Sequence, residues 1–311
     1  MAGVKILVTL SGKGKILKHN PRGSQTINQP ELPAITMKNT LPLLALSFAV
    51  MLAGAGPAAA AEISLNGIVG YQDTPLEPGG QWHVHDPARP QPPVVTPGKS
   101  FSENAAPPSD AIILFDGKDM AQWRAQKTGG ESPWKLEAGA MIADQDDIRT
   151  AREFGDVQLH LEFREPPPTD GVWGNRGNSG VFLMGLFEIQ IFDCYQNKKI
   201  YADGATAGIY GQHPPQANVC RPPGEWQTYD ILFTAPRFDA KGELVSPAYV
   251  TVTFNGVVVQ NHQSIRGTTN HKSPGTYTKH VQTGPLALQY HNSPVAFRNI
   301  WVRPVSSVDE P

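Results

Sequence analysis

Apolar and polar residues alternate at a period of two in several stretches of the chain, which is typical of β-strands. In residues 187–193, FEIQIFD, the side chains of Phe187, Ile189 and Ile191 share one face, and Glu188 and Gln190 share the other. A carboxylate and an amide side by side on a sheet face can bind hydroxyls and, with a partner group, move protons. The alternative is that both are solvated on the outer face of a sandwich strand.

The segment 154–163, FGDVQLHLEF, alternates in the same way and predicts another strand. Its inward positions are Val157, Leu159, Leu161 and Phe163, and its outward positions are Gln158, His160 and Glu162. We therefore expect His160 to be a solvated strand residue. Further short strands follow with turn residues between them, and no segment has the pattern of a three-turn amphipathic helix. The chain is predicted to be all-β, an antiparallel sandwich.

The beginning of the chain has the pattern of an export signal. Within residues 37–61, a lysine precedes the short apolar run 41–52, and small residues at 58–61 provide a cleavage site. The apolar run is too short to span a membrane. Residues 1–36 lack apolar periodicity, and because an export signal lies at the N-terminus, we interpret them as an over-called translation start. The protein is expected to be periplasmic or secreted, with no membrane span after signal cleavage.

The exported part divides into three segments. Residues 62–109 are rich in Pro, Gly and polar groups and predict an extended arm, residues 110–305 form one large domain, and residues 306–311 are a short tail. In the arm, His83 and His85 lie two residues apart beside Asp86. That spacing could chelate a metal on a strand, although in a Pro-rich arm it is more often incidental.

Charge and cysteine content restrict the partners and the compartment. Without residues 1–61, the chain has 20 basic and 27 acidic side chains, a net charge of −7. An acidic surface argues against nucleic acid or an anionic membrane as partner.

In an oxidising compartment the two cysteines, Cys194 and Cys220, are expected to form a disulfide, which would close a loop of 27 residues. Such a disulfide contributes ~3 kcal/mol. Two free buried thiols are the alternative.

Six ordered segments carry a resemblance that spans roughly residues 110–305. They are LFDGKDMAQW (114–123), RGNSGVFLMGLFEIQIFD (176–193), AGIYGQHPP (207–215), PPGEWQTYDILFTAPRFD (222–239), VTFNGVVVQN (252–261) and GPLALQYHNSPVAFRNIWVRP (284–304). They resemble the 3-keto-disaccharide hydrolase family, also called the domain of unknown function 1080 family. The resemblance implies a concanavalin A-like jelly-roll sandwich of two antiparallel sheets. It also implies a small carbohydrate partner, a glycoside already oxidised to a ketone at C3 of the sugar.

A ketone at C3 opens an elimination route, since it acidifies the hydrogen at C2. The reaction needs a base, a group that stabilises the enolate oxygen and an acid for the leaving group. In LALQYHN (286–292), Gln289 and His291 share a face, and if this is the face of Glu188 and Gln190, the four side chains meet. His291 is the expected base, because its ordinary pKa suits neutral pH. A strand-end histidine bonded to a carbonyl is the alternative.

Glu188 is expected to be either the acid–base partner or, with His291, a ligand of one divalent metal ion that holds the enolate oxygens. Asp193 joins the site only if the strand ends or bulges there, since strict alternation places it on the face opposite Glu188. Arg176 and Asn178 could bind sugar hydroxyls or a polarised ketone oxygen, with a surface ion pair as the alternative for Arg176.

Three further residues are second-rank candidates, and a fourth residue, Arg298, has a structural role. Trp173 and Trp226 lie near loops and could stack on a sugar ring, although either could belong to the core. His213, in the long irregular connection 196–225, is a second base or ligand. Arg298 is expected to make a structural ion pair.

Three functions fit these residues. The first is an exported enzyme that cleaves 3-keto-glycosides with Glu188 and His291. The second is a non-catalytic carbohydrate-binding module on the same sandwich. The third is an ordinary glycosidase, which needs two facing carboxylates about 5–9.5 Å apart, and only Glu188 is well placed for that role. The sequence does not determine the oligomeric state.

Overall fold

The computed structural model describes residues 60–99, 102–167, 176–197, 199–278 and 282–305. Trp173, the predicted translation-start segment, the tail and nearly all of the predicted signal peptide lie outside these residues. No helix in the described ranges is long and apolar enough to cross a membrane. The strands there are β1 (Glu62–Leu65), β2 (Ile68–Tyr71), β3 (Ile112–Phe115), β4 (Trp123–Ala125), β5 (Lys135–Glu137), β6 (Ala140–Ile142), β7 (Ile148–Phe154), β8 (Val157–Arg164), β9 (Ser179–Leu183), β10 (Phe187–Ile191), β11 (Gln227–Thr234), β12 (Arg237–Phe238), β13 (Leu244–Ser246), β14 (Tyr249–Phe254), β15 (Val257–Ser264), β16 (Gly284–Leu288) and β17 (Ala296–Pro304), with one 3₁₀ turn at Ala202–Gly204.

The strands form two main antiparallel sheets, which confirms the predicted all-β sandwich. The five-stranded sheet has the order β10-β9-β16-β7-β4. The eight-stranded sheet has the order β15-β14-β11-β8-β17-β6-β5, with β3 also paired to β17. Strands β1 and β2 form a separate hairpin within the segment predicted as an extended arm, and β12 and β13 form another.

The inward faces of the two sheets pack against each other as the period-two pattern requires. Phe187 of β10 meets Phe233 of β11, with 5.9 Å between ring centroids. The Tyr229 hydroxyl of β11 donates a hydrogen bond of 2.6 Å to the Gln190 carbonyl oxygen of β10. Phe187 and Tyr229 are fully buried, and burying an aromatic side chain of this kind stabilises the fold by ~2–3 kcal/mol. These contacts hold β10 in place, with its second face turned away from the core.

Residues 102–105 cover the outer face of the eight-stranded sheet around His160, so the expectation of a solvated His160 is wrong. The Asn104 backbone N–H donates to Glu162 Oε1 over 2.6 Å. His160 is fully buried, and its Nδ1 lies 2.7 Å from Asp230 Oδ1. Burial disfavours the charged imidazole, but hydrogen bonds to Asp230 and Glu162 outweigh it and raise the pKa of His160. The alternation predicted the correct face, but not the segment that covers it.

Two further expectations concern single contacts. The predicted ion pair of Arg298 is confirmed, since its Nε lies 2.7 Å from Glu162 Oε2.

The predicted disulfide is not present in the structure, where Cys194 and Cys220 are free and buried. Cys194 Sγ instead accepts hydrogen bonds of 3.3 Å from the backbone N–H and the hydroxyl of Thr206. The thiols therefore pack as small buried side chains, which was the alternative reading.

Candidate active site

The outer face of the five-stranded sheet carries the polar residues that the strand pattern placed on one side. In the register of β9 and β10, Gly180 pairs with Gln190, and the Gln289 backbone N–H donates to the Gly180 carbonyl oxygen over 3.1 Å. Gly180 therefore lies between the two glutamines. A Cβ at this position would collide with the Glu188 carboxyl group, which lies across the glycine. The absence of a side chain at Gly180 leaves the space that the Glu188 carboxyl group occupies.

These residues line one cavity of about 560 Å³. The five-stranded sheet and the residues next to its strand ends contribute Asn178, Phe182, Glu188, Gln190, Phe192, Gln289 and His291. Other segments contribute Glu62, Val69, Tyr71, Tyr201, Tyr210, Thr269 and His271. Glu188 and Gln190 of β10 thus share one cavity with Gln289 and His291, which follow the end of β16, although β9 lies between these two strands. Asn178, directly before β9, lines the same cavity. A volume of this size lies within the range that accepts a small organic ligand.

Glu188 lies in the cavity wall with only 6% of its surface exposed. Its backbone N–H donates to Thr269 Oγ1 over 3.0 Å, and its carbonyl oxygen accepts from the Tyr210 N–H over 3.2 Å. Burial raises the pKa of Glu188 from 4.5 to about 8, and the negative charge of Asp147 adds to the shift. At neutral pH the carboxyl group therefore holds its proton and can act as an acid.

Asp147 is a carboxylate that sequence reasoning did not single out. Its Oδ1 accepts a hydrogen bond of 2.8 Å from the Tyr290 N–H, between the positions of Gln289 and His291. The pKa of Asp147 is raised, mainly by burial, and the hydrogen bond from the Tyr290 N–H opposes part of this shift. Asp147 is not among the residues that line the cavity, so it acts on the site through its charge. In the sequence it belongs to the acidic stretch DQDD (144–147), where nothing distinguishes it from surface carboxylates.

A hydrogen-bonded row of side chains forms another wall. The Tyr201 and Tyr210 hydroxyl oxygens are 3.1 Å apart, and the Tyr210 oxygen lies 3.0 Å from His271 Nδ1. Burial lowers the pKa of His271 to about 4, with His85 and Lys272 contributing, so its imidazole is neutral at pH 7. The row belongs to the long connections 196–225 and 264–284, whose length signals function but does not identify the residues.

Asp193 and Arg176 are bonded to each other. Arg176 Nη2 lies 2.5 Å from Asp193 Oδ2, and the Asp193 N–H donates to the Arg176 carbonyl oxygen over 2.9 Å. Strand β10 does end before Asp193, at Ile191, but the carboxylate turns toward the arginine. Neither side chain lines the cavity. Arg176 therefore forms an ion pair with Asp193, which was the alternative to sugar binding.

The second-rank candidates Trp226 and His213 have partners outside the cavity. The guanidinium carbons of Arg164 and Arg298 are 4.7 and 4.0 Å from the Trp226 ring centroid, so cations contact this ring. His213 Nε2 is 3.3 Å from Gln263 Nε2, and burial lowers the pKa of His213 to about 4. Neither Trp226 nor His213 lines the cavity.

The expectation of one divalent metal ion at Glu188 and His291 stays a prediction. In the described ranges, no three His, Cys, Asp or Glu side chains are arranged to hold a metal ion. Glu188 and His291 line the cavity, but two side chains alone are fewer than the three or more protein ligands of most metal sites. His83 and His85 have separate partners, the Thr74 carbonyl oxygen and the Asp203 carboxylate. We therefore derive no step through a metal.

Comparisons with known proteins identify the family of the domain. The family model of the 3-keto-alpha-glucoside-1,2-lyase-like domain matches residues 110–303. The crystal structure of a "putative glycosyl hydrolase" from Parabacteroides distasonis ATCC 8503 is 44% identical, covers 70% of this chain and 93% of that chain, and has a TM-score of 0.62. A second protein of that organism, with the same description, is 20% identical, covers 65% of this chain and 99% of that chain, and has a TM-score of 0.48. No curated protein matches the chain. By the extent of the domain match and by the 44% identity, the chain belongs to the family of 3-keto-alpha-glucoside-1,2-lyase-like domains, a family of glycoside-acting enzymes.

Proposed function

We propose that the protein cleaves the C1–oxygen bond of 3-keto-glycosides by elimination, followed by hydration. The observation that carries the proposal is that Glu188, Gln190, Gln289 and His291 line one cavity. The family match supports a glycoside with a ketone at C3 as the substrate class. A cavity of about 560 Å³ has room for a disaccharide.

The bond changes balance without a co-reactant other than water. A base takes the proton from C2, and the electron pair forms an enolate across C2 and C3. Collapse of the enolate restores the C3 ketone, forms a C1=C2 double bond and breaks the bond from C1 to the leaving oxygen, which takes a proton from an acid. Addition of water across C1=C2 then gives net hydrolysis, whereas release before this step gives a lyase reaction.

The cavity supplies a group for each of these steps. His291 is the base, because it lines the same cavity as Glu188 and imidazole is the side chain most often used for general-base catalysis. Glu188 is the acid for the leaving oxygen, because burial keeps its carboxyl group protonated. Asn178, Gln190 and Gln289 carry amide donors and acceptors suited to sugar hydroxyls and to the enolate oxygen. These roles refine the sequence hypothesis, in which Glu188 was either an acid–base group or a metal ligand.

We also propose that the reaction takes place in the periplasm or outside the cell, on the strength of the export signal at 37–61. Cell fractionation of the native producer with an antibody against the protein tests this location. Recovery in the cytoplasmic fraction alone would refute it.

The decisive experiment follows 3-keto-trehalose and 3-keto-sucrose with purified protein, His291→Ala and the matched control His262→Ala. His262 is exposed on β15 and does not line the cavity. His291→Ala is expected to lose a factor of about 10²–10⁴ in turnover, the usual contribution of a general base, while sugar binding changes little. His262→Ala should retain full turnover. Assays with a chelator and with added divalent cations show whether a metal is required.

The alternatives give different results in the same assay. A carbohydrate-binding module would bind the sugars without consuming them in any variant, with or without divalent cations. An ordinary glycosidase would release glucose from unoxidised trehalose or sucrose. Either result would refute the elimination proposal.

A further inference from the structure

The hairpin β1–β2 contributes to the cavity although it lies outside the matched domain. The domain match begins at residue 110, whereas Glu62, Val69 and Tyr71 line the cavity. The site is therefore composite, because the family domain supplies the sheet and a segment before it supplies one wall.

A buried, hydrogen-bonded pair of side chains fixes this segment in place. His85 and Asp203 are both fully buried, with the His85 N–H 2.9 Å from Asp203 Oδ2 and its Nδ1 3.3 Å from Oδ1. The His85 ring stacks on Tyr201 with 3.9 Å between centroids. The Tyr71 N–H donates to the His85 carbonyl oxygen over 2.9 Å, and a Cβ at Gly70 would collide with that oxygen. The hairpin is thus tied to the wall that contains Tyr201.

Through Tyr71 the hairpin also contacts the hydrogen-bonded row of the cavity. The Tyr71 ring meets the His271 ring edge-on, with 5.9 Å between centroids and an angle of 84°. The Lys272 ammonium lies 4.1 Å from the centre of the Tyr71 ring. His271 Nδ1 in turn lies 3.0 Å from the Tyr210 hydroxyl oxygen. Tyr71 is 7% exposed, so its ring is packed, and its main contacts orient the neighbouring loop.

We propose that Tyr71 is a positioning residue that holds the His271–Tyr210 pair in the geometry that binds the sugar. The imidazole and the phenol both line the cavity and carry polar groups of the kind that form hydrogen bonds with sugar hydroxyls. The segment before residue 110 is then part of the binding site. This inference deepens the proposed function, since it assigns further contacts for the same substrate class.

The test compares full-chain variants Tyr71→Leu, His271→Ala and the double variant, with Leu65→Ala as the control. Leu65 lies on the same hairpin, is 39% exposed and does not line the cavity. Tyr71→Leu keeps an apolar side chain for the fold but removes the aromatic edge. It is expected to raise KM for 3-keto-trehalose roughly three- to tenfold, the usual range for an aromatic contact, with little change in kcat. Leu65→Ala should retain the parent KM and kcat.

The double variant decides whether Tyr71 acts through His271. If it does, the double variant has the KM of His271→Ala alone, because the contact has already been removed. Multiplication of the two single effects would overturn the proposal, as would a parent-like KM for Tyr71→Leu.

An NMR measurement separates this inference from the proposed function. In ¹⁵N spectra, the His271 imidazole shifts are expected to change in Tyr71→Leu as the bond to Tyr210 loosens, and to stay unchanged in Leu65→Ala. If the parent protein does not turn over 3-keto-trehalose, the proposed function fails, and the NMR result still decides the role of Tyr71. Unchanged His271 shifts in Tyr71→Leu would refute the positioning role.

Discussion

Replacing Glu188 with glutamine is expected to abolish turnover and to stabilise the fold, by an amount that grows with pH. The carboxyl group has an ordinary pKa of 4.5, and burial raises its pKa to about 8 in the folded protein. Between these values the folded protein holds a proton that the unfolded chain releases, so this group makes stability fall as pH rises. Linkage gives a cost of about 1 kcal/mol at pH 5 and about 3 kcal/mol at pH 7. Glutamine does not titrate, so the variant avoids the pH-dependent cost.

Urea unfolding of the parent and of Glu188→Gln at pH 5, 6 and 7 measures this effect. The difference in unfolding free energy is expected to move in favour of the variant by about 2 kcal/mol between pH 5 and pH 7. Glu137→Gln is the matched control, because Glu137 is exposed on β5 and should give no pH-dependent difference. A constant offset between Glu188→Gln and the parent would refute the raised pKa, and with it the role of Glu188 as a protonated acid.

Three further predictions follow from individual contacts. Because Glu188 must be protonated to act as the acid, kcat is expected to fall as pH rises through about 8, and a pH–rate profile without that alkaline limb contradicts the assignment. Gly180→Ala should lower kcat more than tenfold by displacing the Glu188 carboxyl group, roughly the loss that a misplaced catalytic group causes, whereas Gly98→Ala, in open space, should be neutral in the same assay. His160→Gln should lower the unfolding free energy by about 2 kcal/mol at pH 6. Because the pKa of His160 is raised in the folded protein, this deficit is expected to shrink as pH rises above the ordinary value of 6.5 and through the folded pKa. Thermal unfolding between pH 6 and pH 9 measures it, and a deficit that stays constant over this range contradicts the raised pKa.

The sequence by itself determined which side chains share a face. Glu188 and Gln190 lie opposite Phe187 because successive side chains of a strand point to opposite sides, a property of the backbone that needs no knowledge of neighbouring strands. The same rule predicted that Gln289 and His291 share a face, and both line the cavity, although they follow the end of β16 at Leu288. Six ordered segments were also sufficient to indicate the family and, with it, the sandwich.

Only the tertiary structure decided what covers each face. The same alternation describes Glu188 and His160, yet both are buried, one by the loops around the cavity and the other by residues 102–105. His85 and Asp203 are 118 residues apart in the chain and form one buried pair. Burial, and therefore the protonation of Glu188, depends on such distant segments, because desolvation is produced by every atom that excludes water and not by the strand that carries the carboxylate.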